Sequence, residues 1–238
     1  MRSLEGRTAV VTGASRGIGA GIAEALSREG VRVALVARTE AKLAEKASAI
    51  KGSIPVVCDV ADPKSVERAT RRITGELNGA PDILVNNAGV FRVAVADETS
   101  GDAFIEVIET NLVAPFLFVR AFLSDMKKRK SGHIITLGSI ADRTIYTGNA
   151  AYSAAKFGLR AVHEVLRAEL RGSGVKTSLI SPAATNTEMW NGITITDPAG
   201  KPHSTRPMLE PDDVVRAVMF ALTQPERVNV DELRLSHS

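Results

Sequence analysis

Between Thr8 and Glu29 the chain leaves little choice of fold. Thr8-Ala9-Val10-Val11-Thr12 is a short, nearly unbroken apolar run, as expected of a strand buried on both faces. It runs into Gly13-Ala14-Ser15-Arg16-Gly17-Ile18-Gly19, after which residues 20–29 have helical composition and spacing. Strand, glycine turn and helix in that order are the setting of a phosphate-binding loop. Glycines allow a tight turn and close backbone approach, and the helix start offers unpaired N–H groups and the positive end of its dipole. A plain glycine-rich turn is the alternative reading of this segment alone.

The alternation continues down the chain. Strands are expected over 31–36, 54–58, 83–85, 133–137, 175–180 and 228–235. Helices are expected over 40–50, 63–77, 102–129, 151–171 and 212–222, with Pro115 bending the third of these. Regular alternation of this kind predicts an α/β fold, a doubly wound parallel sheet with helices on both faces, in one domain spanning 1–238. Gly192, Pro198, Gly200, Pro202 and Pro207 make 188–210 a long irregular loop of the sort that serves as a lid.

Composition narrows the function classes. Thirty Lys and Arg against 27 acidic residues give a net charge of +3, which argues against nucleic acid as a partner. The single cysteine, Cys58, excludes an internal disulfide and fits a reducing cytoplasm. No signal region is expected at the N-terminus, and no apolar run approaching the ~20 residues of a membrane span. His133, His163, His203 and His237 show no metal-ligand spacing. Lys127-Lys128-Arg129-Lys130 falls at a helix C-terminus, where cations complement the dipole, and reads as a solvated face.

Tyr152 and Lys156, four apart on an expected helix, lie on one face of it. A phenol titrates near ~10 in water and is a poor acid or base at neutral pH. An ammonium beside it favours the phenolate, which would make the tyrosine a usable general acid/base. An aromatic and a lysine at this spacing are more often core and surface, so the pair needs support from the rest of the chain.

That support is the set Thr12-Gly13-x-x-x-Gly17-x-Gly19, Asn86-Asn87-Ala88-Gly89, Asn111, Ser139 and Tyr152-x-x-x-Lys156. In this order and at these separations the chain resembles the short-chain dehydrogenase/reductase family over nearly its whole length. The resemblance implies a Rossmann-type sheet and an oxidoreductase using NAD(P). It implies that Tyr152 donates a proton to a carbonyl oxygen while Lys156 lowers the tyrosine pKa and binds the nicotinamide ribose. Ser139 would bind the same carbonyl oxygen, and Asn111 would orient a water linking Lys156 to solvent. From the residues alone, Ser139 reads as a capping serine, Asn111 as a helix-interior asparagine and Lys156 as a surface lysine.

The cofactor-binding set that the resemblance implies is Gly13, Ser15, Arg16, Gly17, Ile18, Gly19, Arg38, Asp59, Val60, Asn87, Ala88, Gly89, Tyr152, Lys156, Pro182, Thr185 and Thr187. Asp59 would meet the adenine amino group, though a loop or N-cap aspartate reads as well. Asn87 would sit near the adenosine ribose and help fix its neighbouring strand. Ala183 stands where the family commonly has glycine after Pro182, which puts the local backbone in question. An acidic residue about ~20 positions beyond the glycine loop would select NAD. Here that strand ends Val36-Ala37-Arg38-Thr39, so Arg38, with Arg16 opposite, favours the 2′-phosphate of NADP(H).

The expected substrate is a small to medium ketone or aldehyde, or the corresponding secondary alcohol. Met189, Trp190, Ile193 and Ile195 would face it from the lid and Phe91 and Tyr146 from the opposite wall; Lys201, His203 and Arg206 read first as solvated charges, with partners for a substrate carboxylate as the alternative. The ending from Arg227 to Leu233 resembles that of family members acting on free carbonyl compounds. A 3-oxoacyl-carrier-protein reductase is the alternative with the same chemistry, and a non-enzymatic NADP-binding regulator the alternative from another class. Apolar Phe116, Phe118, Phe122, Val162 and Leu166 exceed one buried stripe, and family helices of this kind pair between subunits, so a homodimer or homotetramer is expected.

Overall fold

The computed structural model describes residues 2–191, 193 and 207–237. Seven strands form one sheet, β1 (Thr8–Thr12), β2 (Arg32–Ala37), β3 (Ile54–Val57), β4 (Ile83–Asn86), β5 (Gly132–Leu137), β6 (Val175–Pro182) and β7 (Glu232–Leu235). Their spatial order is β3-β2-β1-β4-β5-β6-β7, and every adjacent pair is parallel. The chain winds outward from β1 to β3 and then returns to the other side of β1. The sheet therefore has a switch point between β1 and β4, where ligands meet open α/β sheets.

Alternation along β1 explains its apolar run. Ala9 and Val11 enter one core layer with Ile22 and Leu26 of α1 (Gly17–Arg28), Leu43 of α2 (Glu40–Ala49) and Val214 and Val218 of α7 (Pro211–Leu222). Val10 enters the other, with Val66 and Ile73 of α3 (Pro63–Leu77), Phe118 and Phe122 of α5 (Ala114–Lys128) and Leu166 of α6 (Ala150–Glu169). A strand covered on both faces has no position for an exposed polar side chain. Gly21 lets α1 approach α7, since a Cβ there would meet Val215 Cγ2 at 2.9 Å.

The expected helix 102–129 is divided. α4 (Gly101–Ile108) starts on Ser100, whose side chain accepts from Ala103 N, and leads through a π-helical turn, Glu109–Val113, into α5. Pro115 lies in the first turn of α5, immediately after the widened turn. A proline lacks the N–H for the i−4 bond and crowds the i−4 carbonyl, and a wide turn at that place accommodates both defects. The helical stretch Gly101–Lys128 is thus continuous for 28 residues, long and apolar enough by length and composition to cross a membrane. That corrects the expectation that no apolar run reaches membrane-spanning length. Its apolar side chains Val107, Phe118, Val119, Phe122 and Met126 are buried in the fold, as those of a core helix are.

Two further expectations change. Phe118, Phe122 and Leu166, read as surplus apolar surface, are core residues, and Val162 packs against them; Phe116 is exposed. The last strand starts at Glu232 rather than at 228. Before it, Val228 N bonds Pro225 O in a turn, and Asn229 Nδ2 donates to Thr177 O and to the Asp231 carboxylate. These local bonds compete with a strand ladder.

Thr12, 3 % exposed, ties the carboxyl ends of β1 and β4 together. Its hydroxyl donates to Val85 O (3.3 Å) and accepts from Asn87 N and Ala88 N (both 3.0 Å). Thr12→Val keeps the shape but leaves two N–H groups unmet, a cost of about 1–3 kcal/mol. We expect thermal unfolding to show a Tm lowered by about 2–4 °C for each kcal/mol lost. An unchanged Tm would show that these bonds contribute nothing.

Candidate active site

The fork between β1 and β4 opens into a groove on the sheet's carboxyl edge. The turn after β1 takes positive φ at Gly13 (68°) and Gly17 (55°), the backbone conformation that favours glycine. Asn87 closes against this turn, its Nδ2 donating to Thr12 O at 2.8 Å, so the asparagine fixes its neighbouring strand as expected. A Cβ at Gly19 would stand 2.4 Å from both Asn87 Nδ2 and Gly13 O, which shows how closely backbone and amide nest here. α1 starts at this turn with Arg16 as N-cap and no side chain capping its N–H groups. An uncapped helix start beside a glycine turn fits the phosphates of a dinucleotide.

The groove has a volume of about 310 Å³ and is lined by Gly13, Ser15, Arg16, Gly17, Ile18, Gly19, Arg38, Asp59, Val60, Asn87, Ala88, Gly89 and Thr187. These are thirteen of the residues named for the cofactor from sequence, brought together from five loops. Arg38 follows β2 and no carboxylate stands at that strand end. Asp59 uses one carboxylate oxygen to accept from Ala61 N at 3.2 Å, so it also serves its own loop. Sequence reasoning missed Lys42 on α2 and Glu188. Arg16 donates to Glu188 Oε2 at 2.6 Å, and Lys42 Nζ lies 3.6 Å from the same oxygen. The Arg16 hydrogen bond and charge, then Lys42, hold the Glu188 carboxyl below its ordinary range.

A second cavity of about 300 Å³ adjoins the first, sharing Ile18, Asn87, Gly89, Thr187 and Met189 with it. Asn111, Ser139, Tyr152, Lys156, Pro182 and Thr185 all line it, so the four candidate catalytic residues meet in one place. α6 carries Tyr152 and Lys156 on one face, with Lys156 Nζ 5.6 Å from the tyrosine ring centre. Lys156 is buried, not a surface lysine, and Nζ donates to Leu137 O at 2.9 Å. Ser139 does cap: its hydroxyl accepts from Ala141 N (3.1 Å), and it also bonds the Tyr152 phenol. Asn111 sits on the π-helical turn and donates to Val90 O and Val107 O, both at 2.9 Å. Its Oδ1 is buried with no hydrogen-bond partner among the described residues and lies 2.7 Å from where a Gly89 Cβ would be.

The electrostatics differ from the expectation that Lys156 depresses the tyrosine. Burial pushes the Tyr152 phenol up to about 12, with the Ser139 hydrogen bond lowering it and the Asp142 carboxylate raising it. Burial brings Lys156 down to about 8, opposed by the Asp142 charge. Loss of solvent is the largest cause for both groups. Asp142, invisible as a site residue in the sequence, is wholly buried: Ser181 Oγ donates to it at 2.7 Å and Arg143 Nε at 2.7 Å. Arg143 also pairs with Glu232 of β7 at 2.5 Å.

Aromatic rings cover the cavity. Phe91 packs edge-on against Tyr152 (4.7 Å between centres) and against Trp190 (5.2 Å), while the Trp190 indole donates to Thr185 O at 3.0 Å. Phe91 and Trp190 therefore form one wall rather than facing each other across the cavity. Tyr146 and Met189 also line it, and so does His237 from the C-terminal tail, which sequence reasoning did not place. Pro182 ends β6, and Ala183 donates its N–H to Leu235 O at 2.8 Å, a ladder-like bond that any residue could make. Ile195, Lys201, His203 and Arg206 lie outside the described residues.

These shifts predict a titration. The Lys156 ammonium should titrate near 8 instead of its ordinary 10.5, which NMR of its side-chain carbons would follow. Asp142→Asn removes the charge that favours the ammonium, so the midpoint should fall further. Because the folded value lies below the unfolded one, this group makes stability rise with pH between about 8 and 10.5. A midpoint unmoved by Asp142→Asn would exclude that coupling.

Comparison with known proteins agrees with this geometry. The family model for short chain dehydrogenase matches residues 7–197. An uncharacterized oxidoreductase of Staphylococcus saprophyticus is 35% identical, with 98% of each chain covered. Glycine betaine reductase of Emericella nidulans is 37% identical over 97% of this chain, which corresponds to 18% of that longer protein. Among solved structures, an alcohol dehydrogenase from Thermococcus sibiricus complexed with 5-hydroxy-NADP superposes with a TM-score of 0.83 at 29% identity, covering 96% of this chain and 95% of that one. A metagenomic short-chain oxidoreductase in complex with NADP gives 0.82 at 32% identity, covering 99% and 100%. A seven-stranded parallel sheet, a glycine-lined groove at its switch point and this extent of similarity make the chain an oxidoreductase of the short-chain dehydrogenase/reductase family.

Proposed function

We propose that the protein is an NADP(H)-dependent oxidoreductase that reduces a small to medium ketone or aldehyde, or oxidises the corresponding secondary alcohol. The observation that carries this reading is the meeting of Tyr152, hydrogen-bonded to Ser139, with buried Lys156 in a cavity continuous with the glycine-lined groove. When bound, the nicotinamide supplies or accepts the hydride. A substrate carbonyl oxygen set against Tyr152 and Ser139 receives the phenolic proton and is held by the hydroxyl as charge develops. Phe91, Trp190 and Met189 exclude water from that step. Lys156 binds the ribose, and the unpartnered Asn111 Oδ1 is suited to a water through which Lys156 exchanges protons with solvent.

The preference for NADP(H) rests on Arg38 at a strand end without a carboxylate, with Arg16 and Lys42 lining the same groove. The two solved relatives named above carry NADP or a derivative of it. Exposed Ile105, Phe116, Phe157 and Val165 on α4, α5 and α6 form apolar surface suited to a second copy of the chain, in a homodimer or homotetramer.

Tyr152→Phe should leave the fold and NADPH binding intact and lower carbonyl reduction by about 10²–10⁴-fold. Near-normal turnover by the folded variant would rule the mechanism out. For the cofactor, Arg38→Glu should weaken NADPH much more than NADH in binding titrations, since a charge-assisted contact is worth about 1.5–3 kcal/mol. Equal losses for both, or a wild-type preference for NADH, would contradict the assignment.

A further inference from the structure

The carboxylate of Glu188 stands at the phosphate end of the groove and holds two of its cations. Arg16 lies 2.6 Å and Lys42 3.6 Å from a single Glu188 oxygen, and all three residues line the groove together with Arg38. The contact joins residues 172 positions apart. About half of each side chain remains open to solvent, so an incoming anion can reach the cations without unfolding anything. We propose that Glu188 is a specificity-determining residue of the cofactor site, an internal anion that a 2′-phosphate must displace from Arg16 and Lys42. The proposal rests on the reading of NADP(H) as cofactor.

The consequence for selectivity follows from charge. A phosphate monoester brings close to two negative charges and three acceptor oxygens, whereas Glu188 brings one charge and two oxygens. A 2′-phosphate therefore wins the two cations, while a ribose hydroxyl does not. Both cofactors meet the same Gly13–Gly19 turn, but only the phosphorylated one competes with Glu188. The carboxylate thereby lowers affinity for the phosphorylated cofactor alone and eases its release. Displacement also reaches the reaction cavity. Glu188 opens a single 3₁₀ turn, Glu188–Trp190, whose last residue packs on Phe91, which packs on Tyr152. Releasing the first residue of the turn loosens the placement of the indole.

The chain has one tryptophan, so Trp190 emission reports on this turn alone. The experiment titrates the full-length protein and its Glu188→Gln variant with adenosine 2′,5′-bisphosphate and with AMP, by calorimetry and by Trp190 fluorescence. The variant should bind the bisphosphate about three- to tenfold more tightly, as expected for one carboxylate shared by two exposed cations, and AMP unchanged. In an Arg16→Ala, Lys42→Ala background the same substitution should give no such gain. Wild-type emission should respond to the bisphosphate and not to AMP. If Glu188→Gln gains nothing while Arg38→Glu still weakens the bisphosphate, Glu188 has no such role and the NADP(H) reading stands. A gain that survives without Arg16 and Lys42 reduces Glu188 to a diffuse charge and also overturns the proposal. Equal wild-type affinity for the two nucleotides overturns both readings.

Discussion

A parallel sheet that splits at its centre must keep two carboxyl ends apart and still satisfy their backbone groups. Here a single buried hydroxyl meets that demand. Thr12 Oγ1 spans from β1 to Val85 O and to the amides of Asn87 and Ala88, and Asn87 returns the bond to Thr12 O. The glycine turn follows directly from this brace. Gly13 and Gly19 lie so near Asn87 that neither could carry a side chain without something shifting. Everything downstream, including the uncapped start of α1 and the position of Gly89 beside Asn111, is referenced to that junction.

The second organising constraint is the burial of charge beside the reaction cavity. Lys156 and Asp142 are both removed from water, and neither forms an ion pair with the other among the described contacts. Lys156 is held by a backbone carbonyl, whereas Asp142 is held by Ser181 and Arg143 and, through Arg143, is linked to Glu232 on the edge strand. A buried carboxylate with its partners supplied is tolerable; deprived of one, it becomes strongly destabilising. The segment between Ser139 and Arg143 is thereby fastened to β6 and β7, which fixes the serine hydroxyl relative to Tyr152. His133 shows the opposite solution. Burial and nearby cations bring it down to about 3, so it remains neutral against Ser178.

Local features were readable in the sequence because their causes are local. β1, the glycine turn, the Tyr152–Lys156 spacing and the missing acid after β2 each depend on neighbours a few residues away. The groove residues named in advance gather because strand order carries each loop to one edge. Features that depend on distant packing were not legible. Phe118 and Phe122 look like surplus apolar surface until α5 is seen lying on the sheet. The π-helical turn before Pro115 leaves no composition signal, and neither does the approach of His237 to the cavity. Arg16 stands out in the glycine turn as a candidate phosphate ligand, but its partner Glu188 does not, since ordinary solvated glutamates look the same in sequence. The phenol pKa lies above its ordinary value because burial, which spacing along a helix does not reveal, is the largest cause of its shift.

That shift bears on the direction of the proposed chemistry. A phenol near 12 keeps its proton at neutral pH, so Tyr152 rests as an acid, the form that reduction of a carbonyl consumes. Oxidation of an alcohol requires the phenolate instead. Reaching it means offsetting the desolvation that raised the phenol, and the groups in place to do so are few. Ser139 lowers the phenol through its hydrogen bond and Asp142 raises it. Lys156, brought down to about 8 by burial, loses its charge at a lower pH than the phenol loses its proton. Burial thus acts in opposite directions on the two groups, raising the phenol and lowering the ammonium, so each is held toward its neutral form.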